Sequence, residues 1–245
     1  MQSNEVTRRT ALVMTVAGAA IAGHASAQSI KPAAAQAVPG SQRPSRNNAV
    51  WNHDQVALLV IDYQKEMFDA IRSETPADLI ELNIIFTIRI AKALNIPIVL
   101  SSVGVDLGVN GPTKPSITAE LPGVNVIDRS TMNAWEDPVF LKAVNDTGRK
   151  RLIFAALFTE VCLAFPVVDA RKEGREVMFI SDAVGGQSQV AHLTAIQRVI
   201  QAGAIPNPVL GLCAELFRDW KSPEGKKATP VIVWYLGELK KRGLR

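Results

Sequence analysis

One cysteine in this chain lies where a thiol could do chemistry. Cys162 sits in Phe158-Thr159-Glu160-Val161-Cys162-Leu163-Ala164-Phe165-Pro166, directly after the apolar run Leu152-Ile153-Phe154-Ala155-Ala156-Leu157. The run reads as a buried strand, and the segment after it as the start of a helix. A thiol at such a turn lies near the positive end of a helix dipole, which favours the reactive thiolate. A nucleophilic thiol also needs a proton acceptor. Asp62 closes another apolar run, Val56-Ala57-Leu58-Leu59-Val60-Ile61, where a carboxylate is poorly solvated and its pKa rises unless it is paired. That makes it a candidate base for the thiol. The plainer alternative is an aspartate that caps the turn after its strand. Arg129, in Ile127-Asp128-Arg129-Ser130-Thr131, is a candidate fixed charge beside them. A guanidinium stays protonated, so it could stabilise a thiolate and hold Asp62 charged but could not shuttle a proton. Its plainer alternative is a surface ion pair with Asp128 or Glu136.

These residues can act together only if the fold joins them. Apolar runs with strand character cover 55–62, 97–103, 124–127, 151–157, 176–181 and 208–211. Helical spacing or helix punctuation marks 78–95, about 138–145, 160–172, 189–202, 213–220 and 229–241. The Gly- and Pro-rich stretch 104–122 reads as a long functional loop. Strands alternating with helices predict an α/β fold, a three-layer αβα sandwich around a doubly wound, mainly parallel six-stranded sheet. The first strand is the natural centre, with the topological switch point between it and the fourth. Asp62 and Cys162 then stand at neighbouring strand ends, and the end of the third strand places Arg129 on the same edge. Cys213 lies past the sixth strand, too far from Cys162 for a disulfide.

At this point the motifs resemble those of a known family. Leu58-Leu59-Val60-Ile61-Asp62-Tyr63-Gln64, Asn110-Gly111-Pro112, Met132-Asn133-Ala134-Trp135-Glu136-Asp137, Thr147-Gly148-Arg149-Lys150, Thr159-Glu160-Val161-Cys162 with Phe165-Pro166, and Ser181-Asp182-Ala183-Val184-Gly185 resemble the isochorismatase-like hydrolases, in their YcaC-type subgroup. The resemblance runs from about Asn52 to Trp220. It implies a catalytic triad in which Asp62 is the general base and Cys162 the nucleophile. The family's lysine falls on Arg129, a variant the subgroup shares, and Lys114 in the long loop is a weaker substitute. It further implies a cis peptide at Leu157-Phe158, with the backbone N–H groups of Phe158 and Cys162 forming an oxyanion hole. The implied activity is hydrolysis of a small amide or related C–N bond through an acyl-enzyme. Phe68, Asn133 and Trp135 are the candidate pocket residues, although core packing serves Phe68 and Trp135 equally well. Two rival functions remain: vinyl-ether cleavage of the isochorismatase type, which does without the cysteine, and a non-catalytic oligomeric binding or redox-sensing role.

Composition narrows the partners. The chain has 245 residues, a net charge of +4, three histidines and two cysteines. No basic stripe interleaved with aromatics supports nucleic-acid binding. No Asp-x-His of the kind found in the family's nicotinamidases exists, so no metal is expected; His24, His53 and His192 are isolated, and no GxGxxG or P-loop pattern suggests a nucleotide cofactor. The expected partners are a small-molecule substrate and further copies of the chain, for which the apolar segment Pro230-Val231-Ile232-Val233-Trp234-Tyr235-Leu236 is a candidate interface unless it packs on its own domain. Thr7-Arg8-Arg9 followed by a short Gly/Ala-rich apolar stretch and Ala25-Ser26-Ala27 reads as a removable twin-arginine signal over 1–27. It implies export to the periplasm, with no membrane span once the signal is removed. Residues 28–48 read as a flexible leader and 49–245 as a single hydrolase domain.

Overall fold

The computed structural model describes residues 50–244; the expected export signal, its His24 and the leader lie outside the described residues. The strands are β1 Val56–Ile61, β2 Ile98–Val103, β3 Val126–Arg129, β4 Arg151–Ala156, β5 Glu176–Ile180 and β6 Ile205–Asn207. They form one sheet in the order β3-β2-β1-β4-β5-β6, and every pairing is parallel. The helices are α1 Lys65–Asp69, α2 Ala77–Ala93, α3 Pro115–Thr118, α4 Pro138–Asp146, α5 Ala164–Lys172, α6 Gln189–Gln201, α7 Val209–Phe217 and α8 Pro223–Lys241.

The alternation of side chains along β1 divides the core. Val56, Leu58 and Val60 join a cluster with residues of α2, α7 and α8 on one face. Ala57, Leu59 and Ile61 join a second cluster with residues of α4, α5 and α6 on the other. All six β1 residues are buried, as expected for a central strand covered on both faces. Each such Leu, Ile or Val contributes about 1.5–3 kcal/mol by leaving water. Cys213 belongs to the first cluster and Cys162 to the second, so the sheet separates two free thiols.

The structure shifts several expected boundaries. β3 starts at Val126, because the Val124 N–H instead donates to the Leu121 carbonyl in the preceding turn. Arg129 is therefore the last residue of the strand. β6 lies at Ile205–Asn207, and the expected strand over 208–211 is the start of α7. Pro208, which suits a helix entry, precedes the first turn, and the Val209 N–H is capped by Asp182 Oδ1 at 2.9 Å. The helix expected from 160 is interrupted: a π-helical turn covers Thr159–Leu163 before α5 begins. α8 begins six residues earlier than its apolar spacing suggests, with Ser222 Oγ accepting from the Gly225 N–H. It packs on its own domain. Tyr235 stacks on Phe86 with centroids 4.2 Å apart and donates to Asn83 Oδ1 at 2.7 Å. Val233 faces outward, beside an open concavity lined by Leu236, Gly237 and Lys240. Among the described residues no helix is long and apolar enough to cross a membrane.

Candidate active site

The carboxyl edge of the sheet gathers Asp62, Arg129 and Cys162. Asp62 follows β1 directly, and its φ of 61° lies in the left-handed region, which Asp tolerates better than most side chains. Its N–H still donates to the Ser101 carbonyl at 3.0 Å, while its own carbonyl accepts from the Gln64 N–H at 2.9 Å. The chain thus leaves the sheet abruptly at Asp62. Two residues on, the buried Gln64 amide fastens the first part of the long loop, from Val103 to Gly111. Its Nε2 donates to the Val103 and Gly111 carbonyls at 3.1 and 2.7 Å, and its Oε1 accepts from the Val103 N–H at 3.0 Å.

Arg129 reaches across β2 to Asp62. Its Nη2 donates to Asp62 Oδ2 and its Nη1 to the Thr131 carbonyl, with both side chains of the ion pair wholly enclosed. Neither surface alternative for Arg129 is realised; Asp128 instead accepts from Ser102 Oγ and from the Val105 and Asp106 N–H groups. Burial drives the Asp62 pKa up from 3.8, and Arg129 and the Cys162 thiol pull it back, leaving it at about 6. Asp62 Oδ1 is buried and has no partner that meets hydrogen-bond geometry.

Cys162 is the fourth residue of the π-turn and is 4 % exposed. Its pKa stands well above the ordinary thiol value, first because it is buried and then because it faces Asp62; Arg129 and the backbone N–H of Phe158 oppose the rise. This reverses the expectation from the helix dipole. Desolvation and a neighbouring anion outweigh the turn's favourable dipole, so the resting group is a thiol. The peptide Leu157-Phe158 is cis, as the family resemblance implies.

The tentative pocket residues part company. Phe68 packs in the first core cluster, with its ring 5.9 Å from Tyr63 and 4.6 Å from Lys114 Nζ. Lys114 is itself paired with Glu81 Oε2 at 2.5 Å. Trp135 is buried in the second cluster, to which Cys162 also belongs, its ring centroid 6.2 Å from that of Phe154. Asn133 accepts from the Trp135 N–H and donates to Asp169 Oδ2 at 2.7 Å. With Phe165, Asp169 and Arg198 it borders a surface cavity of about 340 Å³. His192 is buried, and lies 2.9 Å from Thr159 Oγ1. Only its helical position was legible; no residue spacing announces that contact. Among the described residues no three His, Cys, Asp or Glu side chains are disposed to hold a metal ion.

This chain belongs to the isochorismatase family of hydrolases: the isochorismatase domain matches residues 56–207. Within the family it falls with the YcaC-type proteins. It is 36% identical over 170 residues to the probable hydrolase YcaC of Escherichia coli K12, a match spanning 69% of this chain and 81% of that one. YcaC of Pseudomonas aeruginosa, solved with hexane-2,5-diol and covalent acrylamide, superposes with a TM-score of 0.70 at 31% identity, covering 80% of this chain and 98% of that one. The E. coli YcaC structure, an octameric hydrolase of unknown specificity, superposes with a TM-score of 0.70 at 32% identity, covering 80% and 97%.

Proposed function

We propose that this protein hydrolyses a small amide or related C–N bond through Cys162. The observation that carries this reading is the enclosed Asp62–Arg129 pair beside the Cys162 thiol. Asp62 takes the thiol proton as the sulfur attacks the substrate carbonyl. The resulting oxyanion is met by the backbone N–H groups of Phe158 and Cys162. When the tetrahedral intermediate collapses, the C–N bond breaks and protonated Asp62 gives its proton to the leaving amine. Water, deprotonated by Asp62, then cleaves the thioester and restores the thiol. Arg129 stays cationic throughout; it keeps Asp62 ionised between steps and offsets the thiolate charge as it develops.

A raised thiol pKa fits this scheme. A neutral thiol whose proton leaves only as the sulfur attacks needs a base at contact, and Asp62 with a pKa of about 6 is ionised at neutral pH. The covalent acrylamide in P. aeruginosa YcaC adds support, because acrylamide is an electrophile of the kind that thiols capture. The deciding experiment is a screen of small amides with the protein and its Cys162→Ala variant. Turnover that survives the substitution would reject the covalent mechanism, and surviving turnover of isochorismate in particular would favour vinyl-ether hydrolysis.

Two further features belong to the same reading. The octameric E. coli relative supports a homo-oligomer, which light scattering would measure. The twin-arginine pattern at Arg8-Arg9 supports export to the periplasm, which cell fractionation would test.

A further inference from the structure

The turn that carries Cys162 is held by a second set of contacts that the proposed mechanism does not use. A π-turn is a rare element that concentrates at functional sites, and here no side chain caps it from Phe158. Its first residue, Thr159, is fully buried. The Thr159 N–H donates to the Gly185 carbonyl at 2.9 Å, and its hydroxyl meets His192 Nδ1 at 2.9 Å. The next residue, Glu160, accepts from the Gln187 N–H at 2.9 Å. Three contacts therefore tie the turn to the segment running from β5 into α6. Gly186 permits the approach: a Cβ there would stand 2.6 Å from Glu160 Oε2 and 3.0 Å from the His192 Cβ.

The imidazole is well placed for a neutral, orienting role. It sits in the first turns of α6, where the helix dipole disfavours a cation. Its Nε2 faces Glu74 Oε1 at 3.7 Å. A proton on Nε2, directed at that carboxylate, leaves Nδ1 to accept from the Thr159 hydroxyl.

We propose that His192 is a positioning residue for the nucleophile turn: through Thr159 it fixes the π-turn that holds the Cys162 thiol against Asp62 and Arg129. The inference rests on Cys162 being the nucleophile, and it adds a residue outside the Asp62–Arg129–Cys162 trio. A hydroxyl–imidazole contact at the start of the turn removes the freedom of the segment to rotate the thiol away from its base. Small misplacements of a reacting group are costly, on the order of a hundredfold in rate for 1 Å.

The test compares variants that lose the contact with variants that keep it. Thr159→Val is nearly isosteric and removes only the hydroxyl; His192→Leu removes the acceptor. Thr159→Ser keeps the hydroxyl, and His192→Asn keeps a polar atom near the Nδ1 position. Iodoacetamide alkylation of Cys162, followed by peptide mass spectrometry with labelling of the core thiol Cys213 as the control for unfolding, reports thiol placement. Thr159→Val and His192→Leu should each slow alkylation about tenfold or more, the double variant should be no slower than either, and the Ser and Asn variants should recover most of the rate. Equal rates in all variants would overturn the proposal. Amide hydrogen exchange over residues 159–163 supplies a readout independent of reactivity. Faster exchange in the Val and Leu variants alone supports positioning, even if wild-type Cys162 proves no more reactive than a free cysteine and the nucleophile reading fails. Unchanged exchange overturns the positioning claim. If His192→Leu does not fold, the Thr159→Val and Thr159→Ser pair decides the matter.

Discussion

Arg129 and Asp62 form an ion pair in which neither side chain touches solvent. The pair joins the last residue of β3 to the residue that follows β1, across the intervening β2. A charge so placed is stable only while its partner is present. Replacing Arg129 with Gln leaves Asp62 buried beside the thiol without a counter-ion, and the loss of one partner of a buried pair costs about 3–5 kcal/mol. Urea denaturation should show a loss of that size. Arg129→Lys keeps the charge but gives up the fork that also holds the Thr131 carbonyl, so it should lose less. Equal stability of wild type and Arg129→Gln would show that Arg129 does not hold Asp62 charged.

The same pair sets a pH dependence. Asp62 is the proposed base and titrates at about 6, so alkylation of Cys162 and any turnover should rise through about pH 6 and then level. A thiol without a base would keep gaining reactivity up to its own pKa, well into the alkaline range. Removing Arg129 removes a charge that lowers the Asp62 pKa, so in Arg129→Gln the rise should move to higher pH. A wild-type profile that climbs only above pH 8 would reject Asp62 as the base.

Stability should move in the opposite sense. The folded pKa of Asp62 lies above its ordinary 3.8, so the native state binds this proton more tightly than the unfolded chain. The resulting stabilisation is fully present below pH 3.8 and is lost as pH rises through about 6. Compared with Asp62→Asn, which cannot titrate, wild type should therefore lose stability between pH 4 and pH 7. Denaturant midpoints of the two proteins across that range give the comparison, and parallel curves would contradict it.

The sheet was legible because β1, β2, β4 and β5 are nearly unbroken apolar runs, and a buried parallel strand has that appearance from either face. Strand order then brought Asp62, Arg129 and Cys162 to one edge without any knowledge of side-chain contacts. β6 was misplaced because Ile205-Pro206-Asn207 is short and contains a proline, which a sequence pattern scores as a turn. The state of the Cys162 thiol was misread for a different reason. A helix dipole can be inferred from a strand-to-helix boundary, but the desolvation that opposes it depends on packing from several elements. The Thr159–His192 contact joins residues 33 positions apart, and neither residue type signals it.

Substituting Cys162 by Ala removes the only proposed nucleophile. Residues acting as one catalytic unit lose nearly all their effect when a single member is removed, on the order of 10⁴-fold or more. An amide substrate found by screening should still bind to Cys162→Ala, so its Kd, measured calorimetrically, should change little while turnover collapses. Parallel loss of binding and rate would point to a thiol that shapes the pocket rather than one that reacts.

Gln64 offers a test of the scaffold beneath the base. Its amide meets the Val103 N–H and the Val103 and Gly111 carbonyls, closing the loop that leaves β2 onto the turn after Asp62. Leu fills a similar volume but makes none of these bonds. Asn110 Nδ2 would still serve the Val103 carbonyl at 3.0 Å, which leaves the Val103 N–H and the Gly111 carbonyl without partners. Two such groups cost about 2–4 kcal/mol together. The loop from Gly104 to Gly111 carries the exposed Leu107 and Val109, so its release should also open it to proteolysis. Gln64→Leu should then show a lower denaturation midpoint and cleavage within this loop, and slower Cys162 alkylation because Asp62 is anchored from the same turn. Gln64→Glu keeps the acceptor for the Val103 N–H but turns a buried carboxylate without a counter-ion toward two carbonyls, and should be no more stable than Gln64→Leu. If Gln64→Leu resists protease as wild type does, the loop is held by Asn110 and the Gln64–Thr113 bridge, and the amide is dispensable to it.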